Sequence, residues 1–152
     1  MATMLTMYTK ILSFNSAGVQ RAMDGATRRA LNKAGGWIRK TAKRSIRPRK
    51  TISQPGDPPH SHAGALRDLM LYAYERYAQT VVIGPLPFKR KKGAPLLEFG
   101  GATIVRQPSR SGKVRRRRMV YRPRPFMGPA LDKALAQPNL IPGFWRNQLT
   151  GV

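Results

Sequence analysis

One long amphipathic stretch constrains this chain more than anything else in it. Asn15 and Ser16 offer an N-cap, and from about residue 17 to 46 apolar side chains recur at helical spacing. At about 100° per residue, Val19, Met23, Ala26, Ala30, Ala34, Trp37 and Thr41 share a stripe, with Leu31 and Ile38 on its shoulder. Arg21, Arg28, Arg29, Lys33, Arg39, Lys40, Lys43 and Arg44 cover much of the remaining circumference. Gly35 and Gly36 fall mid-helix, where each costs about 1 kcal/mol relative to Ala. The pair therefore either kinks the helix or admits a close-packed neighbour. Pro48 ends the segment.

Across the whole chain 13 Pro and 14 Gly set frequent breaks and leave few long regular elements. Alternation from Leu5 to Ser13 predicts a short strand before the helix, and residues 47 to 60 read as a loop. From Gly64 to Gly84 two readings compete. Leu66, Leu69, Met70, Ala73 and Tyr77 would make a helical stripe; Leu66, Met70, Tyr72, Tyr74, Val81 and Ile83 would suit a hairpin turning near Glu75 and Arg76. Val81 to Ile83 is a strand on both. Ala94 to Phe99 is an apolar island and Gly100-Gly101 a turn. Thr103 to Val105 and Met119 to Tyr121 pair as a long hairpin with a flexible basic tip at Ser109 to Lys113. Pro125 to Ala136 predicts a helix, and Leu140 to Leu149 a last helical turn or two around Trp145. A length of 152 residues suits one domain, with sections at 1–60, 61–124 and 125–152.

Charge is the second constraint. Lys and Arg number 29 against 6 Asp and Glu, a formal charge of +23. A compact body so charged repels itself unless a partner or counterions offset it, and nucleic acid, acidic protein or acidic lipid would serve. The excess is segregated: residues 61 to 88 and 125 to 152 are near neutral, whereas residues 89 to 124 hold a single acid, Glu98. An apolar fraction of 41% supports a modest core. The absence of Cys excludes disulfides and thiolate metal sites and suits a reducing cytosol. No run approaches the roughly 18 apolar residues of a membrane span, and Met1 to Phe14 lacks the basic start of a secretory signal.

Catalytic chemistry is not evident. Asp24, Asp57, Asp68, Glu75, Glu98 and Asp132 are scattered, without the paired carboxylates of acid–base catalysis. His60 and His62 lie in a Pro-rich loop without an obvious third metal donor, so hydrogen bonds to backbone are expected of them. There is no phosphate-binding loop, nucleophile elbow or dinucleotide fingerprint. The expectation is no enzyme, no cofactor and no small-molecule substrate. Arg110, Lys113, Arg115, Arg116, Arg117 and Arg118 can neutralise phosphates; with Gln107 the one amide nearby and no aromatic, they would meet a backbone without reading bases. A solvated or protein-facing arm is the alternative. Trp37, Phe126, Trp145 and the Tyr72, Tyr74 and Tyr77 cluster are expected in the core. Glu98, alone among cations, is expected to form a buried or interfacial salt bridge with an Arg.

The segments stand in a recognisable order: strand and long helix, PPHSHAGALR (58 to 67), VVIGP (81 to 85), LLEFG (96 to 100) and RPRPFMGPAL (122 to 131). Together they resemble the minor tail-component or tail-completion family of lambda-like tailed bacteriophages, the head–tail connector or neck proteins. The Glu-Phe-Gly turn and the Arg-Pro-Phe-x-x-Pro-Ala segment are its most specific pieces. The resemblance implies an α+β subunit, with a long N-terminal helix packed on a small antiparallel sheet, an extended basic hairpin and a C-terminal helix. It favours the hairpin for residues 66 to 83. It further implies a homo-oligomeric ring, sixfold, in the virion at the junction of connector and tail tube, assembled in the host bacterial cytoplasm. Partners would be connector or adaptor proteins, tail terminator or tail-tube proteins, and the genomic DNA backbone. Trp37, Glu98, Phe99, Pro125 and Phe126 would anchor core or assembly, and the arm from Arg110 to Arg118 would line the channel or grip an acidic ring. The unusually basic middle hairpin departs from the family pattern. The rival reading is a non-sequence-specific nucleic-acid-binding protein, ribosomal or nucleoid-like. A membrane-surface helix is disfavoured, because the apolar face is rich in Ala and carries a single Trp.

Overall fold

The structure is a computed structural model that describes residues 15–86, 93–108, 114–146 and 148. The strand expected at Leu5 to Ser13, and the side chains of Arg110 and Lys113, lie outside the described residues. The protein is α+β: a long N-terminal helix, two small antiparallel sheets and short C-terminal helices.

Helix α1 (Ser16–Ser45) begins where Asn15 Oδ1 accepts a hydrogen bond from the Gly18 N–H at 2.9 Å. Lys43 and Arg44 in its last turn suit the negative end of the helix dipole. It runs unbroken through Gly35 and Gly36. The buried face is Ala26, Ala30, Ala34, Gly35, Ile38 and Ala42, which rotates the expected stripe. Ile38 moves from shoulder to centre, Ala42 joins, Trp37 and Thr41 are half-buried, and Met23 is exposed. The cause is close packing. A Cβ on Gly35 would lie 2.7 Å from Val81 Cγ2 and 2.9 Å from Tyr72 Cδ2, so the helix presents its smallest residues there. Of the two readings of the glycine pair, Gly35 takes the close neighbour.

That neighbour is a hairpin. One helical turn, α2 (Ala65–Asp68), leads into β1 (Met70–Glu75), which pairs antiparallel with β2 (Thr80–Pro85) from Met70↔Pro85 to Glu75↔Thr80. The competing readings of this segment thus resolve to a hairpin with a helical turn ahead of it, and Leu66 belongs to the turn. Period-two alternation puts Met70, Tyr72, Tyr74, Val81 and Ile83 on one face, toward α1, and Leu71, Ala73 and Val82 on the other. Arg39 Nε donates to the Met70 carbonyl at 2.6 Å, and Gln79 Nε2 donates to Asp24 Oδ1 at 2.9 Å. The hairpin is therefore pinned along α1 at both ends.

Helix α3 (Gly93–Phe99) is followed by a second hairpin, β3 (Gly101–Pro108) with β4 (Val114–Tyr121), and then by α4 (Gly128–Leu135) and α5 (Leu140–Trp145). Its strands exceed the short ones expected, and the two hairpins do not join into one sheet. Ile38, Ala42 and Ile46 of α1 and its exit meet Leu66, Met70, Phe126, Ala130 and Ala134 in the core, with Trp37 and Leu97 packed at its rim.

Two expected core aromatics are elsewhere: Tyr77 is 99% exposed in the first hairpin's turn, and Trp145 is exposed in the last turn of α5. Phe99, expected to anchor core or assembly, is 81% exposed at the end of α3, while Leu97 packs at the core's rim. Tyr72 also stays partly exposed, its ring lying against Gly35 at the edge of the α1 contact.

Candidate assembly and nucleic-acid interface

Three surfaces concentrate the residues singled out by sequence. The first is the root of the second hairpin. The N-cap position of helix α4 is Met127, which has no side chain able to cap it. Glu98 supplies the missing acceptors from α3. Its Oε2 accepts from the Phe126 N–H at 2.9 Å and the Met127 N–H at 3.1 Å, and its Oε1 accepts from the Gly128 N–H at 2.8 Å. The expected salt bridge to an Arg is not formed among the described residues. A carboxylate finds a favourable site at the positive end of a helix, where backbone N–H groups otherwise lack acceptors. Pro125 precedes this turn half-buried, while Phe126 enters the core at 1% exposure and anchors it.

Around this clasp the backbone is tied further. The Arg124 N–H donates to the Leu97 carbonyl at 2.6 Å, Arg124 Nε to the Ser53 carbonyl at 3.1 Å, and the Gly56 N–H to the Pro123 carbonyl at 2.9 Å. Gly100, at φ 72°, would place a Cβ 3.0 Å from the Tyr121 carbonyl oxygen, so this turn requires glycine. Arg124 had been noted only as the first residue of the Arg-Pro-Phe-x-x-Pro-Ala segment, and Ser53 had drawn no attention in the sequence.

The second surface is the β3–β4 ribbon. Arg115, Arg116, Arg117 and Arg118 were expected to lead from the tip into a strand, but they lie within β4 and are exposed. Consecutive strand residues point to opposite faces. Arg115 and Arg117 therefore share a face with Thr103, Val105, Met119 and Tyr121, while Arg116 and Arg118 share the other with Ala102, Ile104, Arg106 and Val120. The four guanidinium groups cannot all meet one partner surface. Arg106 sits directly across from Arg116, a destabilising pairing of like charges. Between the cations Ile104 is 67% and Val120 73% exposed.

The third surface is the outer side of α1, where Lys33, Lys40 and Arg44 are exposed. On the opposite side of α1, an apolar groove of about 650 Å³ opens between β2, α3 and α4, bounded by Ile38, Ile83, Phe126 and Leu131. Glu98 reaches its wall, with its oxygens already engaged by the α4 N–H groups. In the loop, His60 Nδ1 donates to the Thr51 carbonyl at 2.8 Å, and His62 is exposed. Among the described residues no three His, Asp or Glu side chains gather as a metal site, and no helix is long and apolar enough to cross a membrane.

No family model, curated protein or solved structure matches this chain.

Proposed function

We propose that the chain is a structural subunit of the bacteriophage head–tail junction, a tail-completion or neck protein that assembles as a homo-oligomeric ring around the DNA path. The observation carrying this reading is the Glu98 clasp. The two most specific pieces of the family resemblance, LLEFG and RPRPFMGPAL, are 28 residues apart at Glu98 and Phe126, yet they form one hydrogen-bonded unit. Residues that serve one structural purpose together are a stronger signature than two short motifs read separately.

The ribbon rooted in that clasp supports an assembly role. An isolated two-stranded hairpin is at best marginally stable in water. This one carries exposed Ile104, Val114 and Val120 and an opposed Arg pair, a surface suited to burial against protein. Neighbouring subunits, the connector or adaptor above and the tail terminator or tube below are the partners in this reading. The site would be the virion, after assembly in the bacterial cytoplasm. Purified particles should contain the protein, and labelled antibody should mark the neck; recovery from the host nucleoid alone would overturn the reading.

A second reading, a nucleic-acid-binding protein without sequence preference, is favoured by one observation. Residues 25 to 56 hold no acid at all. It predicts a monomer that binds duplex or RNA tightly and is not found in particles.

A further inference from the structure

We propose that the outer stripe of α1, built on Lys33, Lys40 and Arg44, is the surface that lies against the phosphate backbone of duplex DNA, and that the β3–β4 ribbon faces protein. This deepens the junction reading by naming which face meets DNA.

Lys40 follows Lys33 by seven residues and Arg44 follows Lys40 by four, so the three project within about 40° of one another along about 16 Å of helix. All three are exposed, and among the described residues none is hydrogen-bonded or ion-paired. Two neighbouring cations are already committed to the fold. Arg29 donates to Gln148 Oε1 at 2.9 Å and to its carbonyl at 2.7 Å, and Arg39 holds the Met70 carbonyl. No carboxylate lies between Asp24 and Asp57 to neutralise the stripe.

Rigidity favours this surface over the ribbon. The far side of the helix is packed through Ala34, Gly35, Ile38 and Ala42, so the three cations are presented by a fixed scaffold. The ribbon splits its arginines between two faces.

The company each set of cations keeps points the same way. Protein interfaces are centred on apolar or aromatic side chains, with charge at the rim. Between Asp24 and Thr51 no large apolar side chain is exposed, whereas on the ribbon Ile104, Val114, Met119 and Val120 stand among the arginines. Trp37, which shares this helical sector, is half-buried against the core, so what the stripe exposes is its cations, and these suit phosphates, each contact releasing counterions. With no amide or aromatic among the three, it would grip a backbone whatever the sequence.

The test uses the purified full chain and a short mixed-sequence duplex, with affinity measured by fluorescence anisotropy across a salt series. The triple variant Lys33→Gln, Lys40→Gln, Arg44→Gln should lower the slope of log K against log salt by about 2.7, about 0.9 for each cation removed. The Lys33→Arg, Lys40→Arg control should keep the wild-type slope. The ribbon variant Arg115→Gln, Arg116→Gln, Arg117→Gln, Arg118→Gln should change it by less than about 1. Circular dichroism checks that each variant keeps its helix. No duplex binding by the wild type, an unchanged slope in the stripe variant, or a ribbon effect as large as the stripe's would each overturn the proposal. So would displacement of the duplex by polyglutamate at equal charge, which would assign the stripe to an acidic protein. No particle is involved, so failure here is separable from failure to find the protein at the neck.

Discussion

The two hairpins of this protein are similar in size and opposite in character. The β1–β2 hairpin lies on α1 with Met70 fully buried, and Arg39 and Gln79 pin its two ends. The β3–β4 ribbon is longer and carries most of its side chains in the open; among the described residues it is held only where its strands meet the body. Backbone pairing of the same kind thus serves two ends. In one it closes a core; in the other it extends a surface outward and leaves apolar residues uncovered.

The sharpest way to break this contrast is to truncate equivalent apolar residues. Met70→Ala should cost about 2–5 kcal/mol in urea unfolding, because it opens a cavity in the core. Val120→Ala on the ribbon should change stability by no more than about 0.5 kcal/mol. A large loss at Val120 would mean that the ribbon is packed after all.

Next in size is the glycine pair beneath the first hairpin. Gly35→Ala should destabilise by about 1–3 kcal/mol, since the new methyl meets Val81 and Tyr72 inside contact distance. Gly36→Ala, with room for its methyl, should stabilise by up to about 1 kcal/mol through helix propensity. Thermal melts of the two single variants should move in opposite directions.

At the root of the ribbon, Glu98→Ala should cost about 1–2 kcal/mol, the usual worth of a helix N-cap. Amide exchange should then speed up at Phe126, Met127 and Gly128, leaving β1 and β2 protected. The smallest effect belongs to the opposed Arg106 and Arg116. Arg116→Glu should convert repulsion to attraction and gain about 0.2–1 kcal/mol locally, seen as slower exchange within β3 and β4.

How much of this could be read from the residues depended on whether the deciding partner was itself visible in the chain. Helix α1 was legible at both ends, because Asn15 and Pro48 are local signals. Its buried face was read with the wrong rotation, because the close approach of Val81 and Tyr72 to Gly35 is a property of the fold. The first hairpin was legible as one of two alternatives, its strand pattern matching nearly as well as a helical stripe. The ribbon was legible in place but not in length. Arg115 to Arg118 show no apolar alternation, and pairing with residues 104 to 107 makes them strand. Glu98 was recognised as exceptional, yet its partners were misread. Backbone N–H groups carry no side-chain signature, so an arginine was the natural expectation. The stripe of Lys33, Lys40 and Arg44 was visible as charge, but its separation from the committed Arg29 and Arg39 required coordinates.

The clasp formed by Glu98 with residues 126 to 128 also bears on how such a protein can vary. It fastens the chain on entry to the ribbon to the chain on exit, so the body is insensitive to what lies between. Loop-closure entropy rises only slowly with length, by about 0.6 kcal/mol for each doubling. The arm can therefore be lengthened, shortened or exchanged for one of different charge while the core folds as before. In the proposed junction role, its reach would be an adjustable dimension, set by the gap that the junction leaves to be bridged.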